Sequence, residues 1–146
     1  MYKSILIPTD GSEFAGKGVE AGLALAKALG AQATVVMVTE SIPTFVGLDG
    51  GAYAAAFADF DKDQSESAAR ALSAVKQRAD ALGVTARTQH VGRSQPAEAI
   101  LATAKSEGCD LIVMASHGHR GVRRLILGSQ TAEVLAHSPV PVLVVP

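Results

Sequence analysis

Short apolar runs and amphipathic stretches alternate along the whole chain. The apolar runs predict strands over residues 4–8, 33–39, 84–91, 110–113 and 139–145. Between them, helical periodicity predicts helices over about 13–29, 60–82, 96–107 and 129–137. Because strands and helices alternate, the pattern predicts an α/β fold with a parallel sheet that helices cover on both faces. The run over 84–91 carries many polar side chains, which is typical of an edge strand.

Glycine and proline residues mark where these elements begin and end. Gly30 and Gly83 predict helix C-termini, and Pro96 predicts the first turn of a helix. The stretch 40–58 contains a proline and several glycines before an alanine-rich run, and it predicts a long loop with room for one helical turn. Long loops inside compact domains are usually functional. We therefore expect this loop to be mobile without a ligand and to become less mobile when a ligand binds beside it.

Glycines also occur inside the first predicted helix, where they are unfavourable. Gly16, Gly18 and Gly22 each destabilise the helix by roughly 1 kcal/mol relative to alanine. Either close packing of this helix on the sheet or close packing on a bound ligand would explain them.

Length and composition restrict the class of protein. A chain of 146 residues with 48% hydrophobic residues predicts one domain spanning 1–146. The 13 basic and 14 acidic side chains leave a net charge of −1, so we expect no nucleic-acid partner. The single cysteine, Cys109, suits a reducing cytoplasm and a small buried side chain. The chain enters its first strand at once and has no apolar run of about 20 residues, so we predict no signal peptide, no membrane span and a cytoplasmic location.

The segment from Met114 to Ser129 carries the clearest chemistry. It joins a buried strand to a helix and contains glycines at 118, 121 and 128 and arginines at 120, 123 and 124. Glycines allow a ligand to approach the backbone, a helix N-terminus attracts anions, and arginine suits phosphate. The segment therefore predicts a phosphate site. The alternative is that the glycines only permit sharp turns and that Ser129 only caps the helix.

Other kinds of site are less well supported by the residues. Asp10-Gly11-Ser12 follows the first strand and is either a turn with a helix cap or a ligand contact. Asp10 would reach a phosphate-bearing ligand through a hydroxyl group or through Mg²⁺, since a carboxylate does not attract phosphate directly. His117 and His119 form a His-x-His pair, but two ligands are weak evidence for a metal. Ser116 and His117 are sequence neighbours, which rarely build a nucleophile and its base, and no residue is predicted to be catalytic.

Four stretches together resemble the nucleotide-binding universal stress proteins. The family pattern Gly-x2-Gly-x9-Gly-Ser fits Gly118, Gly128 and Ser129, with Ala115 at the position of the first glycine. The stretches 5–12, 35–38 and 139–145 are similar to the opening, second and closing strands of the family. The resemblance implies a single doubly wound, Rossmann-like sheet of five parallel strands in the order 3-2-1-4-5. It also implies ATP as the ligand, which Mg²⁺ would accompany, and a nucleotide contact from Asp10, which by the argument above is the candidate metal contact. The residues that would bind the nucleotide are Pro8, Thr9, Asp10, Val38, Met114, Ala115, Gly118, Arg120, Gly128, Ser129 and Gln130.

The last predicted strand suggests a second partner. The stretch 140–146 is apolar and uncharged, and in the implied strand order it lies at a sheet edge, where it would pair with a second copy of the chain. The predicted protein is thus a homodimeric, ATP-binding sensor or regulator of stress with unidentified protein partners. Two alternatives stay open: an interaction module in which Ala115 prevents nucleotide binding, and a slow ATPase or phosphotransfer enzyme. The sequence contains no Walker motif with its lysine and no evident general base, and both observations argue against the enzyme.

Overall fold

The computed structural model of the chain describes residues 1–40, 50–117 and 127–146, with side chains in the second range described from residue 54 onward. Its elements are β1 (Ser4–Thr9), α1 (Glu13–Leu29), β2 (Gln32–Val38), α2 (Gly50–Leu82), β3 (Ala86–Val91), α3 (Pro96–Ser106), β4 (Leu111–Ala115), α4 (Ser129–His137) and β5 (Val142–Val145). The predicted bounds of α1 and α4 are confirmed, and α1 ends at Gly30 in the left-handed conformation with φ 64°. None of the described helices is long and apolar enough to cross a membrane.

The strands form a five-stranded sheet in the order β3-β2-β1-β4-β5, and every neighbouring pair is parallel. This confirms the predicted fold class, strand order and edge position of β3. β1 and β2 are consecutive in sequence and pair from Ser4 with Gln32 to Thr9 with Met37, while β4 lies on the other side of β1. The winding therefore reverses between β1 and β4.

Two apolar layers hold the helices against the sheet. Ile5 and Ile7 of β1 face the layer that contains α1 and α2, whereas Leu6 faces the layer that contains α3 and α4. All three side chains are fully buried. Because successive side chains of a strand point to opposite faces, the continuous apolar runs in the sequence are explained by burial on both faces.

The prediction of a loop over 40–58 is wrong from Gly50 onward, because α2 begins there. The alanine-rich run has a strong helix propensity, and a tertiary contact adds to it. Arg93 places its guanidinium 4.1 Å from the ring centre of Phe57 and its Nε 3.3 Å from a carboxylate oxygen of Asp61. Arg93 adopts a left-handed backbone with φ 53°, which is unusual for a residue other than glycine. The remaining part of the predicted loop, 41–49, lies outside the described residues.

Close packing on the sheet explains two of the three glycines in α1. A Cβ atom on Gly18 would lie 2.7 Å from the backbone N of Ala115, and one on Gly22 would lie 2.6 Å from Cδ1 of Ile7. A Cβ atom on Gly16 would meet no described heavy atom within 4 Å. Among the described residues, no contact requires glycine at position 16.

Cys109, His90 and His137 pack or form hydrogen bonds within the fold, away from the carboxyl ends of β1 and β4. Cys109 is 6% exposed, as predicted for a small buried side chain. Burial raises the pKa of its thiol, because the charged thiolate is poorly solvated there. Nε2 of His90 lies 2.9 Å from Oγ1 of Thr39, and Nδ1 of His137 lies 3.0 Å from the carbonyl oxygen of Glu133.

Candidate functional site

The carboxyl ends of β1 and β4 lie side by side at the point where the winding reverses. The two strands are paired in register through Ile5 with Leu111 and Leu6 with Ile112, so that Asp10 and Ser116 follow neighbouring strand ends. Ligands of doubly wound sheets bind in the crevice at such a point. The topology therefore brings together the two segments that the sequence singled out.

The turn after β1 is built by its own side chains. Oγ1 of Thr9 accepts a hydrogen bond from the N–H of Gly11 at 3.1 Å, and Oδ1 of Asp10 accepts one from the N–H of Ser12 at 2.9 Å. Oγ of Ser12 then caps α1 by accepting from the N–H of Ala15 at 3.1 Å. Gly11 has φ 81°, which favours glycine. The turn and helix cap of the alternative interpretation are therefore present. Pro8 and Thr9 are buried, and Asp10 is half-buried.

The start of α4 is anchored to the end of β4. The N–H of Gly128 donates to the carbonyl oxygen of Ser116 at 2.8 Å, and Oγ1 of Thr131 donates to that of Ala115 at 3.1 Å. A Cβ atom on Gly128 would lie 3.2 Å from the oxygen of Ser116. Gly128 thus allows the backbone just before α4 to lie close to the backbone that follows β4. Thr131, which is buried, is absent from the residues predicted from sequence, since a threonine in the first turn of a helix is too ordinary to stand out.

The N-terminus of α4 differs from those of α1 and α3. Ser12 caps α1, and Oε1 of Gln95 caps α3 by accepting from the N–H of Glu98 at 2.7 Å. The N-cap residue of α4 is Gly128, and within the described residues no side chain caps this helix. The first N–H groups of a helix have no partner inside it and carry partial positive charge, so they suit an anion.

Several predicted residues lie at strand ends and not in loops. Met114 and Ala115 are the last two residues of β4, and they are 6% and 8% exposed. The prediction that this strand ends at residue 113 is therefore wrong by two residues. Val38 is the last residue of β2, is half-buried and pairs with Val91. Gly118, Arg120 and His119 lie outside the described residues.

Gln130 uses its side chain away from the strand ends. Its Oε1 accepts hydrogen bonds from the N–H of Ala97 and from Nε2 of Gln95, both at 3.0 Å. Its backbone N–H is one of the first in α4. The side chain thus contacts α3, and the backbone belongs to the uncapped helix start.

Ser116 and His117 form a hydrogen-bonded pair, with 2.8 Å between Oγ and Nδ1. Sequence reasoning set such a pair aside because the residues are neighbours. Both residues are half-buried, and their backbone atoms lie beside Gly128. Within the described residues, no three His, Cys, Asp or Glu side chains are grouped as a metal site would require.

Proteins of similar sequence and structure have been described. The chain is 36% identical over 149 residues to a universal stress protein of Thermus aquaticus, and the match covers 99% of each chain. The solved structure of the protein MJ0577 of Methanocaldococcus jannaschii matches with a TM-score of 0.85 and 28% identity, covering 99% of this chain and 96% of that one.

Two more distant structures contain nucleotides. A universal stress protein in complex with cAMP matches with a TM-score of 0.66 and 23% identity, covering 99% of this chain and 96% of that one. A family protein from Arabidopsis thaliana with AMP bound matches with a TM-score of 0.69 and 15% identity, covering 98% and 90%. At these identities the likeness shows the fold alone. The model of the universal stress protein family matches residues 1–146. With this match and the Thermus relative, the chain belongs to the universal stress protein family.

Proposed function

We propose that this protein binds ATP together with Mg²⁺ at the carboxyl ends of β1 and β4, and that it acts as a nucleotide-dependent sensor or regulator of stress. The observation that carries the proposal is the start of α4, which no described side chain caps and which lies where the winding of the sheet reverses. Solved proteins of the same fold with AMP and with cAMP support a nucleotide as the ligand.

The chemistry of the residues fits a nucleoside triphosphate. The N–H groups of Ser129 and Gln130, the hydroxyl of Ser129, and the loop residues Gly118 and Arg120 would hold the phosphates. Asp10 would act through the ribose hydroxyls or through Mg²⁺, which neutralises phosphate charge when bound. Pro8, Thr9, Val38, Met114 and Ala115 would line the nucleoside side of the site.

The position of Ala115 supports binding in spite of its departure from the family pattern. Along β4, Leu111 and Val113 face the α1 layer, and Ile112 and Met114 face the α4 layer. By the alternation of a strand, the methyl group of Ala115 is on the α1 side, away from the start of α4. The interaction module without nucleotide is therefore the weaker alternative.

The direct experiment is to purify the protein, denature it and separate the supernatant on an anion-exchange column. We expect ATP to be released. ADP alone would favour the slow ATPase or phosphotransfer enzyme, for which the hydrogen bond between Ser116 and His117 is the favourable observation. If neither ATP nor ADP is released, and if titration with Mg²⁺-ATP gives no heat, the protein would be the interaction module that binds no nucleotide.

Ser129→Ala is expected to weaken ATP binding. The change removes a hydroxyl that would donate to a phosphate oxygen, and a hydrogen bond to a charged group is worth about 1.5–3 kcal/mol. Affinity should therefore fall roughly tenfold to over a hundredfold in calorimetric titration. Ser73→Ala, on an exposed position of α2, is the matched control. Equal affinities of the two variants would contradict a phosphate contact from Ser129.

We also propose that the protein is a homodimer through β5. This strand is a sheet edge, carries no charge and exposes 46% of Leu143, while Leu135 of α4 is 40% exposed. The opposite edge is protected, because Nζ of Lys76 donates to the carbonyl oxygen of Ala86 in β3 at 2.9 Å. Lys76 lies on α2 and occupies a backbone acceptor of β3, and β3 itself carries the exposed, charged Arg87. Charged side chains on an edge strand discourage pairing. Of the two edges, β5 is therefore the one suited to a second copy.

Val144→Pro is expected to weaken this dimer. The N–H of Ile112 donates to the oxygen of Pro141, and the N–H of Ser116 donates to that of Val145, so alternate residues of β5 face β4 and Val144 faces outward. Proline at 144 removes an outward donor. Val144→Ala keeps the donor and is the control. Sedimentation at micromolar concentration should give a monomer for the proline variant alone. A monomeric native protein would contradict the dimer.

A further inference from the structure

A cluster of side chains joins the first turn of α4 to the first turn of α3. Nε2 of Gln95 donates one hydrogen to Oε1 of Gln130 and the other to Oε2 of Glu133, each at 3.0 Å. Oε1 of Gln130 also accepts from the N–H of Ala97 at 3.0 Å. Both N–H bonds of the Gln95 amide thus have an acceptor, and the amide oxygen of Gln130 accepts two hydrogen bonds, which is its full capacity. Gln130, on α4, satisfies an N–H group at the start of α3 that has no partner inside its own helix.

The orientation of α4 depends strongly on such polar contacts. Of its nine residues only Thr131 and Val134 are buried, so the helix has a small apolar face. The hydroxyl of Thr131 ties the first turn to β4, and the amide of Gln130 ties it to α3. Both bonds belong to residues whose own N–H groups lie in the uncapped turn.

We propose that Gln130 is a positioning residue for the phosphate site, acting through its bond to α3 and not by side-chain contact with the nucleotide. The inference rests on the proposed function, since it concerns the helix start that would hold the phosphates. A phosphate held by backbone N–H groups requires those groups at a fixed place, and the bond from Gln130 to Ala97 fixes the second residue of α4 against a neighbouring helix. The coupling is reciprocal, so a bound phosphate stabilises the bond to Ala97 in turn.

The test compares Gln130→Met with Gln77→Met. Methionine keeps the length and helix propensity of glutamine but offers no comparable acceptor. Gln77 is exposed on α2 and controls for the chemical change. In Gln130→Met we expect ATP affinity to fall about three- to tenfold, as for the loss of one or two ordinary hydrogen bonds. Adenosine affinity should be unchanged, because adenosine has no phosphate.

The amide of Ala97 gives a readout that lies away from the nucleotide. In the native protein ATP should slow its hydrogen exchange, and in Gln130→Met this effect should be lost. A purely structural role for Gln130 would lower the unfolding temperature and weaken ATP and adenosine alike. Gln95→Ala, which alters no atom of α4, should also weaken ATP and leave adenosine unchanged.

The outcomes separate this inference from the proposed function. Native protein that binds ATP, together with Gln130→Met and Gln95→Ala variants that fold and bind ATP equally well, would overturn the positioning role and leave the proposed function standing. Native protein that binds no ATP would overturn both. Equal losses for ATP and adenosine would overturn the positioning role in favour of a structural one.

Discussion

Gly128→Val is expected to abolish ATP binding and to leave the fold intact. A Cβ atom at this position would lie 3.2 Å from the carbonyl oxygen of Ser116 and 3.6 Å from Cα of His117. The two further methyl groups of valine would then crowd the space in front of the first N–H groups of α4, where the phosphates would lie. Both effects act at the same place, so we expect affinity to fall by more than about a hundredfold, or roughly 2.7 kcal/mol.

The backbone at Gly128 has φ −59° and ψ 148°, which any residue adopts, so the change should not unfold the protein. Leu127→Val, one residue earlier at a position 41% exposed, is the matched control. Calorimetric titration with Mg²⁺-ATP measures the affinities, and circular dichroism checks the fold. A Gly128→Val variant that is folded and binds ATP like the native protein would place the nucleotide, if it binds, at another site.

Gly18→Ala is expected to destabilise the protein by about 1–3 kcal/mol, the range typical of an overpacked core. The new Cβ atom would lie 2.7 Å from the backbone N of Ala115 and 3.1 Å from the carbonyl carbon of Met114. Backbone atoms of an inner strand are held by hydrogen bonds to both neighbouring strands, so they cannot move away as the end of a flexible side chain can. Helix α1 would have to move away from β4 to accommodate the methyl group. The higher helix propensity of alanine would offset only part of this loss.

Gly16→Ala provides the matched control in the same helix. No described atom lies within 4 Å of the Cβ position, so only the helix propensity changes. This variant should be stabilised by about 0.5–1 kcal/mol. Chemical denaturation measures both free energies of unfolding. Two variants with the same stability would show that close packing of α1 on β4 is not the reason for glycine at position 18.

Sequence and structure agree best where the signal is local. The cap and stop of α1, at Ser12 and Gly30, follow from residue types that suit those backbone positions. The apolar runs predict strands because burial on both faces of a parallel sheet leaves no room for polar side chains. The strand order came from the family resemblance, since alternating strands and helices are compatible with several orders.

The structure differs from the prediction where residues far apart in sequence meet. The start of α2 at Gly50 is supported by the contact of Phe57 and Asp61 with Arg93, which no local pattern encodes. The site segments divide in the same way. The residues at the β1 turn and around Gly128 were recognisable from their types and spacing, but the hydrogen bond from Thr131 to the carbonyl oxygen of Ala115, 16 positions away, was not.

The sequence by itself determined the alternation of strands and helices, the ends of α1 and the identity of the residues that follow β1 and β4. Only the tertiary structure decided that Gly18 lies against the backbone of β4 and that the side chain of Gln130 contacts α3. The reason is physical. Periodicity, capping and turn propensity act over a few neighbouring residues, whereas the partner of a side chain such as Gln130 lies 33 positions away and is set by how the helices pack on the sheet.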